Sequence, residues 1–112
     1  MDVSKRQVGD VTILDLKGKI TIGTGDVQLR NAVQEVMNSG ASKVLINMGG
    51  VSTIDSSGIG ELVSAYTTAT NRGAKLKLYG LPDKVSDILT ITQLITVFDV
   101  FDSEAEAVQS FA

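Results

Sequence analysis

The sequence predicts an α/β domain with a mixed β-sheet, and three observations lead to that prediction. The chain opens with two short strand-like segments joined by a turn, which is typical of a hairpin. After this hairpin, apolar strand-like runs alternate with segments of helical spacing, a pattern that favours an α/β sheet with mixed strand directions. The length of 112 residues is typical of one domain, so a single domain is predicted over residues 1–112.

The first hairpin is predicted from residues 5–9, the turn signal Gly9-Asp10 and the alternating segment Val11–Leu16. Gly18 is expected to end the second strand, since glycine weakens a strand. A connection rich in Gly and Thr follows over residues 18–26. From these signals, the first helix is expected to begin at Asp26.

The middle of the chain is predicted as helix, strand and helix. Apolar residues recur at i, i+3, i+4, i+7 and i+8 from Leu29, which is the spacing of one helix face. Asn38-Ser39-Gly40 supplies a stop signal. The next strand is predicted at Lys43–Met48, where the apolar run is typical of a strand buried on both faces, and the second helix at residues 57–71.

The last third of the chain is predicted to hold two strands and two helices. Lys75–Tyr79 alternates as a strand does, and Pro82 suits the first turn of a third helix. Ile95–Phe98 is predicted as the last strand. Ser103-Glu104-Ala105-Glu106 matches a capping box, so a final helix is expected to start there.

The composition excludes several classes of function. The chain contains no Cys and no His, which removes disulfides, thiolate chemistry, the usual zinc sites and any His-based triad. A formal charge of −3 with scattered basic residues gives no footprint for nucleic acid or an anionic membrane. No apolar run approaches the ~20 residues that a spanning helix needs. The sequence therefore predicts a cytoplasmic protein with no catalytic residues, no metal and no cofactor.

The strongest functional signal is the polar hinge Asp55-Ser56-Ser57-Gly58, which stands where a strand passes into a helix. A plain structural interpretation is a turn whose serine caps the helix. A serine cap does not explain the two glycines in the opening turn, Gly58 and Gly60. They suggest close approach of another backbone segment. The connection over residues 49–57 is also longer than a tight turn requires. An uncapped hydroxyl here is free to carry a phosphate.

Two other kinds of site are weaker hypotheses. Gly23-Thr24-Gly25 and Gly58-Ile59-Gly60 each lack the third glycine of a dinucleotide motif and the Lys-Ser/Thr of a phosphate loop, so turns and close packing explain them better. No two carboxylates form an evident acid/base or metal pair. Four acidic residues cluster near the last helix start and are predicted to be a solvated face, with an acidic contact patch as the alternative. They are Asp99, Asp102, Glu104 and Glu106.

The segment from Val44 to Gly60 resembles the signature of the STAS domain, in particular the small stand-alone anti-sigma factor antagonists of bacteria. The similarity extends over most of the chain. It implies a sheet of four to five strands with about four helices mainly on one face. One departure is the first loop: Gly18-Lys19-Ile20-Thr21 stands where many relatives carry Gly-Glu-Leu/Ile-Asp, on a loop near their partner surface.

The resemblance implies a partner switch. The unmodified protein binds an anti-sigma factor that is also a serine kinase, and so frees a sigma factor. The kinase phosphorylates Ser56, which ends binding, and a serine phosphatase reverses the change. The implied partner surface consists of Asp55, Ser56, Ser57, Gly58, Ile59 and Gly60.

Two other functions stay open at this point, and so does a weak homodimer. A STAS scaffold or accessory subunit, in a stressosome-like assembly or a transport complex, would share the same fold. A small enzyme or nucleotide-binding protein is the third hypothesis, and the missing His, Cys and phosphate loop count against it.

Overall fold

The computed structural model describes residues 1–112 as four α-helices and a five-stranded sheet. The strands are β1 (Asp2–Val8), β2 (Val11–Ile20), β3 (Lys43–Ile54), β4 (Lys75–Tyr79) and β5 (Val100–Phe101). The helices are α1 (Gly25–Asn38), α2 (Ser56–Asn71), α3 (Asp83–Ile91) and α4 (Glu104–Gln109), with a short 3-10 helix at Leu94–Thr96. No helix is both long enough and apolar enough to span a bilayer.

The sheet is mixed, with the order β1-β2-β3-β4-β5. β1 is antiparallel to β2, while β2 to β5 run parallel to one another. Because the strands that α1 and α2 connect are parallel, each of these helices starts at the edge where the preceding strand ends. The hairpin, the mixed sheet and the number of strands and helices are confirmed.

Three helices cover one face of the sheet and α4 covers part of the other. The larger apolar cluster combines alternate strand residues such as Leu14, Ile46 and Leu78 with the buried sides of α1, α2 and α3. The intervening residues point the other way, and a smaller cluster there includes Ile13, Leu45, Ala107 and Phe111. The parallel strands are thus buried on both faces over much of their length.

β2 and β3 are longer than the sequence predicts. Gly18 does not end β2, and residues 49–54 are not a loop, because the two strands stay paired as far as Ile20 and Ile54. Two register shifts interrupt this pairing, and Gly18 accommodates the irregular backbone at φ +113°. Gly50 is needed because a Cβ there would stand 2.6 Å from the Leu16 carbonyl oxygen. Extension of both strands therefore carries the polar hinge beyond the rest of the sheet.

The strand predicted at Ile95–Phe98 is wrong. Gln93 adopts a left-handed backbone at φ +63°, and a 3-10 turn follows it. Phe98 is buried and packs edge-on against Tyr66 of α2, with ring centroids 5.4 Å apart. Ile95 and Phe98 join the larger apolar cluster, and the fifth strand forms only afterwards, at Val100–Phe101.

α4 starts at the capping box, as predicted. Of the acidic residues near its start, Glu104 does not simply face solvent but bonds to other elements. The Ser103 hydroxyl accepts a hydrogen bond from the Glu106 backbone N–H at 3.2 Å. Glu104 accepts hydrogen bonds from Arg6 and, at 2.8 Å, from the Tyr79 hydroxyl, and Arg6 lowers the pKa of the Glu104 carboxyl. Burial, with Glu104 alongside, raises the pKa of Tyr79 to about 12. These contacts fasten α4 across β1 and β4.

Candidate functional site

The predicted site lies where β3 passes directly into α2. Asp55 is the single residue between the two elements, and α2 begins at Ser56. This junction stands at the carboxyl end of the parallel strands, where the βα connections of open α/β sheets place their binding residues. The helix therefore starts one residue earlier than the sequence predicts.

The residue that caps α2 is Asp55, so the interpretation of a serine cap is wrong. The Asp55 backbone is extended, and its Oδ1 accepts a hydrogen bond from the Gly58 N–H at 2.9 Å. Its Oδ2 accepts a second one, also at 2.9 Å, from the backbone N–H of Ile22. Asp55 thus joins the start of α2 to the loop that connects β2 with α1. Hydrogen bonds from Ile22 first and from Gly58 next lower the pKa of the Asp55 carboxyl.

The two serine hydroxyls are free because Asp55 has taken the capping role. Ser56 is exposed and Ser57 is half-buried, and neither hydroxyl makes a hydrogen bond within the chain. Both lie in the first turn of α2, where backbone N–H groups and the helix dipole favour an anion. A phosphoryl group on Ser56 would therefore project into solvent and would displace no internal contact.

The two glycines of this turn serve different purposes. A Cβ at Gly58 would stand 2.1 Å from the Ile20 carbonyl oxygen and 2.8 Å from Cγ1 of Ile54, so only glycine lets α2 approach the end of β2. The expectation of close backbone approach is correct here. The same expectation is wrong for Gly60. This residue is exposed, and a Cβ built there would have no other atom within 4 Å.

The end of β2 is held between two helix starts. Gly25, at the start of α1, would place a Cβ 2.1 Å from the Lys19 carbonyl oxygen, just as Gly58 does with Ile20. The Asp55 N–H also donates to the Ile20 carbonyl at 3.3 Å. These contacts fix the first turns of both helices against one strand end and give the junction a defined shape.

No cavity lies at the predicted site. The largest groove, of about 430 Å³, is between β1 and α1, and none of the four cavities is lined by residues 55–60. Ile59 is half-buried and packs against the larger apolar cluster. No group of three or more acidic side chains lies close enough to hold a metal ion. Small-molecule sites are concave, whereas residues 55–60 form an open surface.

The acid sensitivity of the junction can be tested with Asp55→Asn. The Asp55 pKa is lowered from its ordinary value of 3.8, so its charged form stabilises the fold above that value and the stabilisation is lost as the pH falls through the lowered pKa. The amide has one acceptor oxygen and cannot hold both the Gly58 and Ile22 N–H groups. We expect the variant to melt below the wild type at pH 7, and the gap to narrow by pH 3.

Thermal melts at both pH values measure that gap. Asp87→Asn is the matched control, since Asp87 is an exposed carboxylate on α3 that accepts no hydrogen bond. The same difference in melting temperature at pH 7 and pH 3 would contradict the assigned role of the Asp55 charge.

Fold and site together define a small α/β domain whose candidate contact site is the exposed start of a helix. A sequence model of the STAS domain matches residues 2–107, and the chain therefore belongs to the STAS domain family. STAS anti-sigma factor antagonists are non-enzymatic regulatory proteins, in agreement with the prediction that the chain is not an enzyme.

Similar proteins come from several bacteria. A protein of Thermotoga neapolitana, named as the homolog of a candidate anti-sigma factor antagonist, is 26% identical over 102 residues, which cover 91% of this chain and 90% of its own length. The crystal structure of a candidate anti-sigma factor antagonist from Thermotoga maritima is 24% identical with a TM-score of 0.89, covering 96% of this chain and 92% of its own. The Bacillus cell-fate determinant SpoIIAA, solved in its phosphorylated form, is 17% identical with a TM-score of 0.76. The match covers 99% of this chain and 100% of its own. The two structures show that the fold is shared.

Proposed function

We propose that this protein is an anti-sigma factor antagonist that works by exchange of partners in the cytoplasm. Its unphosphorylated form binds an anti-sigma factor that is itself a serine kinase, and the sigma factor is released. The kinase transfers the γ-phosphoryl group of ATP to the Ser56 hydroxyl, which ends the interaction. A serine phosphatase removes the group and restores binding.

One observation carries this proposal: the Ser56 hydroxyl is exposed and unbonded at the first residue of α2. Asp55 supplies the cap through its bond to Gly58, so modification of Ser56 leaves the helix start intact. Ser57 is half-buried, which makes it the poorer acceptor for a kinase. Family membership and the names of the similar proteins support the same role.

The low charge of the surface around Ser56 supports the proposal that its partner is a protein. α2 contains no Lys or Arg, and its single charged residue, Glu61, is paired with Arg30 of α1 at 2.9 Å. Protein interfaces are depleted in charge at their centres. The surface around Ser56 carries little charge. The charge of a single phosphate on Ser56 can therefore abolish binding there.

Phosphorylation of Ser56 can be tested with the serine-kinase anti-sigma factors of the source organism. Each is purified and incubated with this protein and ATP, and modification is mapped by mass spectrometry. We expect at least one to phosphorylate the wild type at Ser56. Ser56→Ala should abolish the reaction, and Ser57→Ala, the matched control, should retain it because its acceptor hydroxyl is unchanged.

Three results would contradict the proposal. Phosphate found only on Ser57, or a Ser56→Ala variant that is still modified, would remove the site. Recovery of large homo-assemblies or a transport ATPase in place of a kinase, on purification from the native host, would favour a STAS scaffold or an accessory subunit of a transport complex.

A further inference from the structure

Ile22 is the most exposed large apolar side chain near Ser56. It lies in the loop between β2 and α1, and 74% of its surface is accessible. Single exposed apolar residues are common on protein surfaces and need no functional explanation. Ile91, at the end of α3, is 81% exposed and is such a case. The surroundings of Ile22 must therefore decide whether its exposure has a function.

The backbone up to and including Ile22 is held by hydrogen bonds. Its own N–H donates to the Asp55 carboxylate at 2.9 Å. The carbonyl of the preceding residue, Thr21, accepts a hydrogen bond from the Asp26 N–H at 3.1 Å, and the Ile20 carbonyl accepts one from Asp55. A side chain on a rigid loop loses little conformational entropy when it docks, which is the property of an interface anchor.

The exposed face of α2 beside Ile22 carries no charged side chain, although the half-buried Asp55 carboxylate accepts the hydrogen bond from the Ile22 N–H. All the exposed residues of α2 are uncharged, and Ser56 and Gly60 lie one turn apart on the same side of the helix. They are Ser56, Gly60, Ser64, Thr67, Thr70 and Asn71. Gly23 follows Ile22, and a Cβ built on Gly23 would have no other atom within 4 Å. The backbone next to the Ile22 side chain is therefore uncovered.

Ile22 and Ser56 belong to one surface, because Asp55 precedes Ser56 in the chain and holds the Ile22 N–H with its carboxylate. A partner that covers the Ser56 hydroxyl therefore meets the Ile22 side chain as well. We infer that Ile22 is the apolar anchor with which this protein docks into a recess on its anti-sigma factor. The inference rests on the proposed function and names the residue that supplies most of the affinity on this loop.

The test compares Ile22→Ala with Ile91→Ala. Both remove the same atoms from strongly exposed positions, so both variants should fold and melt close to the wild type. Affinity is measured by calorimetry with the anti-sigma factor that binds the wild type among those purified from the source organism. For Ile22→Ala we expect a loss of about thirtyfold, as for an interface hot spot. For Ile91→Ala we expect a change within roughly twofold.

The outcomes separate the inference from the proposed function. If the wild type binds an anti-sigma factor and Ile22→Ala binds it equally well, the inference is overturned and the proposed function stands. Equal losses for the two variants would also overturn it, because position would then not matter. If the wild type binds none of these anti-sigma factors, both are overturned.

Discussion

Phosphorylation of Ser56 is expected to weaken binding to the anti-sigma factor by two to three orders of magnitude. An unpaired ion buried in an interface costs several kcal/mol, and a loss of about 3–4 kcal/mol corresponds to that change in affinity. α2 offers no basic side chain that could pair with the phosphate, and the neighbouring Asp55 adds a like charge. Titration calorimetry with purified phosphorylated and unphosphorylated protein measures the effect.

The domain itself should stay folded when Ser56 is phosphorylated. The helix dipole and free N–H groups favour the anion by about 0.3–1 kcal/mol, and repulsion from Asp55 opposes this. Gln109→Glu is the matched control for charge, because it adds a negative charge to an exposed residue of α4, on the opposite side of the sheet. Its affinity should equal that of the wild type. A phosphorylated form that binds the anti-sigma factor as tightly as the unmodified form would contradict the proposed effect of phosphorylation.

Gly58→Ala is expected to destabilise the fold by about 2–3 kcal/mol, the usual cost of forcing an extra group into a close contact. The new Cβ would lie 2.1 Å from a backbone oxygen of Ile20, which cannot rotate away as a side chain could. α2 must shift from the end of β2, and the Asp55 bond to the Gly58 N–H would be strained. Thermal melts should show a decrease of roughly 10 °C for a domain of this size.

Gly60→Ala provides the control within the same turn of α2. Its Cβ would meet no atom within 4 Å, so only the better helix propensity of alanine remains, worth up to about 1 kcal/mol in favour of the folded state. The two substitutions should therefore shift the melting temperature in opposite directions. A Gly58→Ala variant as stable as the wild type would show that α2 does not approach β2 as closely as described.

Elements with one clear periodicity were predictable from the sequence. β4 has the predicted bounds, Lys75–Tyr79, because its alternation is uninterrupted and turn residues stand on both sides. The ends of β2 and β3 were not predictable, because bulges and glycines interrupt the alternation there. Ile95–Phe98 has the composition of a strand, but its Phe98 side chain packs among the helices.

The sequence by itself determined that a strand passes into a helix at Asp55-Ser56-Ser57-Gly58, and that two hydroxyls lie at that helix start. Such features depend on contacts within about one helical turn, and local spacing records them. Only the tertiary structure decided that the Asp55 carboxylate binds the Ile22 N–H and that Gly58 packs directly against the Ile20 carbonyl. These contacts join residues more than 30 positions apart, and the sheet register that brings them together leaves no periodic trace in the sequence.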